Sequence, residues 1–143
     1  MITGGQVLET DQESAAVYRF VIQETVDRGT EDERTVRDTR YAIGCGLVDA
    51  IDSVNSNGNV KFFFAERLGD LVACCGQIPL FVFRMRVLRD DPKLNREYWV
   101  AAPDEIDGEK LMRELTESLQ AGASLLAKFP VSCVGKLFAQ SIP

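Results

Sequence analysis

The stretch Leu80-Phe-Val-Phe-Arg-Met-Arg-Val-Leu88 restricts the fold more than any other segment. Met85 and Val87 alternate with Arg84 and Arg86. Side chains alternate across a strand with a period of two, so this pattern specifies a β-strand with one apolar and one cationic face. Pro79 precedes it, and Asp90-Asp91-Pro92 follows with residues that favour a turn. Tyr98-Trp99-Val100 predicts a second strand, antiparallel to the first across the 90–96 turn and stopped by Pro103 and Asp104. Over 109–128 the spacing predicts a helix, with Leu111, Leu115, Leu119 and Ala123 on one stripe and Met112, Leu126 and Phe129 widening it. Asp104, Glu105, Asp107 and Glu109 gather at its amino end, where carboxylates interact well with the helix dipole. Val131–Phe138 adds a helical turn or two before a loose tail at 139–143.

The first half reads less clearly. Thr10 and Glu13 have capping-box spacing, and Ala15, Tyr18, Ile22 and Val26 recur at helical intervals up to Gly29, so 10–29 is read as a helix. The β-branched and aromatic density of Val17–Val26 supports a strand instead. Val36, Ile43, Leu47, Ile51 and Val54 lie on one helical stripe, interrupted by Gly44 and Gly46. Asn57-Gly58 offers the rival reading, a hairpin turn between strands at 47–54 and 60–65. Leu68, Leu71, Val72 and Cys75 fit a helix ending at Gly76, while Phe62, Phe63 and Phe64 cannot share one face of any element. The resulting expectation is one α+β domain over residues 1–143. Its small, mostly antiparallel sheet is flanked by helices and ends in strand, turn, strand and helix.

The 143 residues, 45% hydrophobic and 27% charged, suit a single folded domain rather than a disordered chain. No apolar run exceeds five residues, far short of the ~20 that span a bilayer, and no secretory leader is visible. These features predict a cytoplasmic protein. The net charge of −6 works against a sequence-independent grip on nucleic acid and against anionic membrane surfaces.

Histidine is absent. Without it, Ser-His-Asp and Cys-His catalysis and His-containing zinc sites are unavailable in their ordinary forms. Cys45, Cys74, Cys75 and Cys133 contain no C-x2-C pair, so neither a metal nor a cofactor is expected. Cys74-Cys75 has no adjacent cation to lower a thiol pKa and reads as buried and inert. Gly44-Cys45-Gly46 lacks the third glycine of a dinucleotide fingerprint, Asp49 standing in its place, and reads as packing glycines or a bend.

The densest positive cluster is Arg84, Arg86 and Arg89, followed by Lys93 and Arg96. Two arginines on one strand face can clamp a phosphate or a carboxylate bidentately, with Tyr98 and Trp99 beside them as anchors. The competing reading is a solvated face balanced by Glu97, Asp90 and Asp91. Arg84, Arg86, Arg89, Tyr98 and Trp99 are therefore the expected partner- or ligand-binding residues, with no catalytic residue. The functional expectation is a non-enzymatic binding or adaptor protein, chaperone- or inhibitor-like, that acts on a protein partner and forms homo-oligomers. The alternative is a receptor for a small phosphate-bearing anion, and a carboxylate- or lysine-based enzyme comes third.

Overall fold

The structure, a computed structural model, describes residues 14–56, 58–75, 79–119 and 122–141. The Thr10–Glu13 capping box, Asn57 and Gly76 lie outside the described residues. Seven strands form one mixed sheet: β1 (Ala15–Val26), β2 (Arg34–Cys45), β3 (Val60–Cys74), β4 (Phe81–Leu88), β5 (Arg96–Ala102), β6 (Gly122–Pro130) and β7 (Cys133–Val134). Among the described residues three α-helices complete it: α1 (Leu47–Val54), α2 (Glu105–Leu119) and α3 (Lys136–Ser141). None of them is long and apolar enough to cross a membrane.

The expected α+β architecture with a small, helix-flanked sheet is overturned: the sheet dominates, in the order β6-β4-β5-β3-β1-β2-β7. It is also mixed, because β3 pairs β5 in parallel and β2 pairs β7 in parallel. The helix read over 10–29 is β1. This strand lies between β2 and β3; Tyr18, Phe20 and Ile22 face α1, while Val17 and Val21 interrupt the polar row of Arg19 and Gln23 on the other face, which blurs the period of two. Residues 34–45 and 60–74 are likewise strands, and the helical stripe from Val36 to Val54 runs through two different elements. The hairpin reading of 47–54 fails too, since α1 occupies it. Helix 109–128 stops at Leu119, and 122–130 joins β4 as a strand, so the chain does not end in strand, turn, strand and helix.

Two ββαβ units carry this topology. In the first, β1 lies between β2 and β3; in the second, β4 lies between β5 and β6, with antiparallel pairing in every case. Each helix crosses over the middle strand of its own unit. Under α1 lie Ala16, Tyr18, Phe20, Ile22 and Ala42, and under α2 lie Phe83, Met85, Val87, Val100 and Ala102. The opposite face holds a third cluster: Val17, Ile43, Leu71, Val82, Trp99, Ala101 and Phe138. Both helices thus cover one face, and the two units share the core on the other.

The sheet curls around that shared core. Its end strands β6 and β7 are separated only by Val131 and Ser132. Three residue steps reach about 11 Å, whereas the edges of a flat seven-stranded sheet would lie about 29 Å apart. Val131 N–H donates to the Leu80 carbonyl at 2.8 Å and Ser132 N–H to the Tyr41 carbonyl at 2.8 Å. One continuous segment therefore bonds first to β4 and then to β2, clasping the edges at one end in the manner of a barrel. Further from the clasp, no strand among the described residues pairs the outer edges of β2 and β6.

Asp49 anchors the clasp. Its buried carboxylate accepts the N–H groups of Cys45 (2.8 Å), Leu137 (2.9 Å) and Phe138 (3.2 Å), tying β2 and α3 to α1. Gly46 makes the turn from β2 into α1 at φ 103°, a left-handed value that favours glycine. Gly44 is a packing glycine, since a Cβ there would lie 2.7 Å from the Ala50 nitrogen.

Candidate functional site

Bulges decide which side chains enter the concave face. Register shifts in β3 near Tyr18 and Ile22 of β1 each add one residue to β3. Both Leu68 and Gly69 then serve the inner face, and Phe62 turns to the α1 side while Phe63 and Phe64 stay exposed. This resolves the three consecutive phenylalanines that no regular element could place on one side.

Arg84 and Arg86 of β4 and Glu97 and Trp99 of β5 are cross-strand neighbours on this face. Arg84 Nε donates to Glu97 Oε1 at 2.6 Å, and an Arg86 guanidinium nitrogen lies 3.3 Å from Glu97 Oε2. The Arg84 hydrogen bond, with a smaller contribution from Arg86, holds the Glu97 carboxyl below the usual carboxylate range. Across the cavity, Arg19 binds Glu66 through Nε at 3.0 Å and a terminal nitrogen at 2.8 Å. The cavity, about 250 Å³, is lined by Glu66, Arg67, Leu68, Gly69, Arg84, Glu97 and Trp99.

Of the five residues expected to bind, the structure brings Arg84, Arg86 and Trp99 together and separates the other two. Trp99 is buried, not exposed: its ring lies against Gly69 and stacks on Phe129 at 6.1 Å, and Phe129 stacks on Tyr41 at 4.4 Å. Only part of it borders the cavity. Tyr98 projects to the opposite face and packs under α2, as strand alternation requires of Trp99's neighbour. Arg89 lies beyond the end of β4, where its N–H donates to Asn95 Oδ1 at 2.7 Å.

A second group was missed in the sequence. The Arg37 guanidinium sits 4.4 Å and Lys61 Nζ 5.3 Å from the Phe63 ring centroid, and the Arg19 guanidinium 5.4 Å from that of Phe64. Arg37 and Lys61 both face Gln23 of β1, which continues the inner row from Val17. Neither forms an ion pair among the described residues. The row of three phenylalanines was the available signal, but only the bulge reveals which two are outward.

The concave face thus carries Arg19, Arg37, Lys61, Arg84 and Arg86 against Glu66 and Glu97, in a chain of net charge −6. Such a face can accept carboxylates or phosphates through charge-assisted hydrogen bonds. Burial pushes the Cys45 and Cys133 thiols up and raises Cys74 to about 11, so these three are not activated nucleophiles. Among the described residues, no group of His, Cys, Asp and Glu could hold a metal ion. The chain matches no protein-family model, no curated protein and no solved structure.

Proposed function

We propose that this chain is a non-enzymatic binding protein that takes an acidic segment of a protein partner on its concave face. The observation that carries the reading is the inversion of charge: five cations against two carboxylates gather on one face of an acidic protein, beside exposed Phe63 and Phe64. Glu97, gripped by two arginines, is an internal example of the carboxylate such a face would hold. Cys45, Cys74, Cys75 and Cys133 form no disulfide, which fits work in a reducing cytoplasm.

The test is fluorescence anisotropy with a short labelled peptide rich in Asp and Glu, set against labelled oligothymidine. The expected result is saturable peptide binding that weakens with added salt and falls at least about tenfold when Arg84 and Arg86 are both replaced by Glu. No binding, no response to the double substitution, or equal affinity for oligothymidine would sink the reading.

One observation favours a second reading, a small phosphate-bearing ligand: the cavity beside Arg84 is large enough for a compact anion and bordered by Trp99. Thermal shift against inorganic phosphate and nucleotides separates the two, because a specific ligand stabilises by mass action.

A further inference from the structure

The cations of the concave face differ in what already holds them. Arg84 and Arg86 share Glu97, and Arg19 binds Glu66. Arg37 and Lys61 have no such carboxylate among the described residues; they stand on either side of Gln23, which is neutral. The carboxylates next in sequence, Glu24 and Asp38, turn to the other face and bind Arg40. Both cations lean on the ring of Phe63, a residue 45% exposed. The aromatic face attracts each of them, but two like charges beside one ring repel, and an anion placed between them relieves that repulsion.

This group and the Arg84–Arg86 group lie at different ends of the face. Arg84 pairs with Trp99, Trp99 with Leu71, and the adjoining Asp70 with Ala16 of β1, whereas Lys61 pairs with Gln23, much further along that strand. At ~3.3 Å per residue along a strand and ~4.8 Å between strands, Lys61 is about 25 Å from Arg84 and about 20 Å from Arg86. An extended chain covers that span in about seven residues. The Arg19–Glu66 pair lies between the two groups and leaves the middle of the path neutral.

We infer that Arg37 and Lys61, held by Phe63, form a second anion anchor, and that the partner segment carries two acidic clusters about seven residues apart. One cluster meets Arg84 and Arg86, the other meets Arg37 and Lys61, and uncharged residues cross the Arg19–Glu66 pair. This partner is a narrower form of the one proposed above and rests on that reading. Charge complementarity selects it: cations without internal carboxylates stand at one end, and at the other Glu97 shows how Arg84 and Arg86 take a carboxylate. Two linked contacts exceed either alone, because the second forms at a high effective concentration.

Fluorescence anisotropy with two labelled peptides of identical composition tests it. One carries two Asp-Glu pairs separated by about six Ser and Gly residues, and the other has its four acids contiguous. The spaced peptide is expected to bind at least about tenfold tighter. Arg37→Glu with Lys61→Glu should erase that advantage without altering circular dichroism. Lys110→Glu with Arg113→Glu, the same charge change at exposed positions of α2, should preserve it. Equal affinity for the two peptides, or an advantage that survives Arg37→Glu with Lys61→Glu, would overturn the second anchor; if binding still required Arg84 and Arg86, the proposed function would stand. If neither peptide binds, both fall.

Discussion

Replacing Asp49 by Ala, alone and together with Gly135→Ala, tests whether the carboxylate is the pin that holds the clasp. Alanine leaves three backbone N–H groups without their acceptor, and the bonds to Cys45 and Phe138 are buried. An orphaned buried donor costs about 1–3 kcal/mol. The Leu137 N–H is only partly buried and can turn to water, and removing a buried carboxylate recovers some desolvation. The net loss should be about 3 kcal/mol, or roughly 9 °C in Tm for a chain of this size. Gly135 adds a second, coupled measurement. A Cβ there would lie 2.1 Å from Asp49 Oδ2, and its three nearest atoms all belong to Asp49. Gly135→Ala alone should therefore cost about 2 kcal/mol through overpacking. With the carboxylate already removed the methyl has room, so the double variant should lose about 3 kcal/mol, not about 5. Urea unfolding followed by the fluorescence of the sole tryptophan, Trp99, reads all four chains. Additive losses, or a single-variant loss below about 1 kcal/mol for Asp49→Ala, would refute the pin.

Three further outcomes are expected. Gly108→Ala should destabilise by about 1 kcal/mol in thermal melts, because the new Cβ would meet the Phe83 ring at 2.5 Å; helix propensity alone gives the opposite sign. Cys74, raised to about 11 chiefly by burial and then by Cys75, stays protonated below that pH. Its alkylation at pH 8, followed by peptide mass spectrometry, should be about a hundredfold slower than in the unfolded chain and should accelerate toward pH 11. Glu97→Gln frees Arg84 and Arg86 from their internal carboxylate and should strengthen binding of the acidic peptide or of phosphate, read by Trp99 fluorescence. Because Arg84 lowers the Glu97 pKa, the stabilisation from this pair is present above the ordinary glutamate range and is lost as pH falls through the lowered value.

What could be read from the residues depended on how each strand is buried. In β4, Met85 and Val87 pack under α2 while Arg84 and Arg86 meet solvent and Glu97, so the alternation is visible and the strand was placed. In β1, Ala16, Tyr18, Phe20 and Ile22 pack under α1, but Val17 and Val21 interrupt the polar row of Arg19 and Gln23 on the other face, and this blurred alternation matches a helical template as readily as an extended one. Gly29, read as the end of that helix, adopts a left-handed conformation (φ 81°) in the turn between β1 and β2. The extra β3 residue near Tyr18 puts Leu68 on the same face as Gly69 and Leu71 and mimics helical spacing there. Residues 122–130 have ordinary helix formers and become a strand through their pairing with β4, a tertiary choice that local propensity does not carry. For the site, Arg84 and Arg86 were legible from alternation, whereas Arg37 and Lys61 meet at Phe63, with Arg19 and Phe64 beside them, only because β1 brings β2 and β3 to either side of itself.

The clasp also sets an order of events during synthesis. A nascent chain that has emerged as far as β5 can pair β1 through β5, yet the face of Val17 and Ile43 still awaits Phe138. Until the ribosome has released residues 131–141, the half-made sheet presents wet hydrocarbon and unpaired backbone to its surroundings, the condition under which growing chains mispair or recruit chaperones.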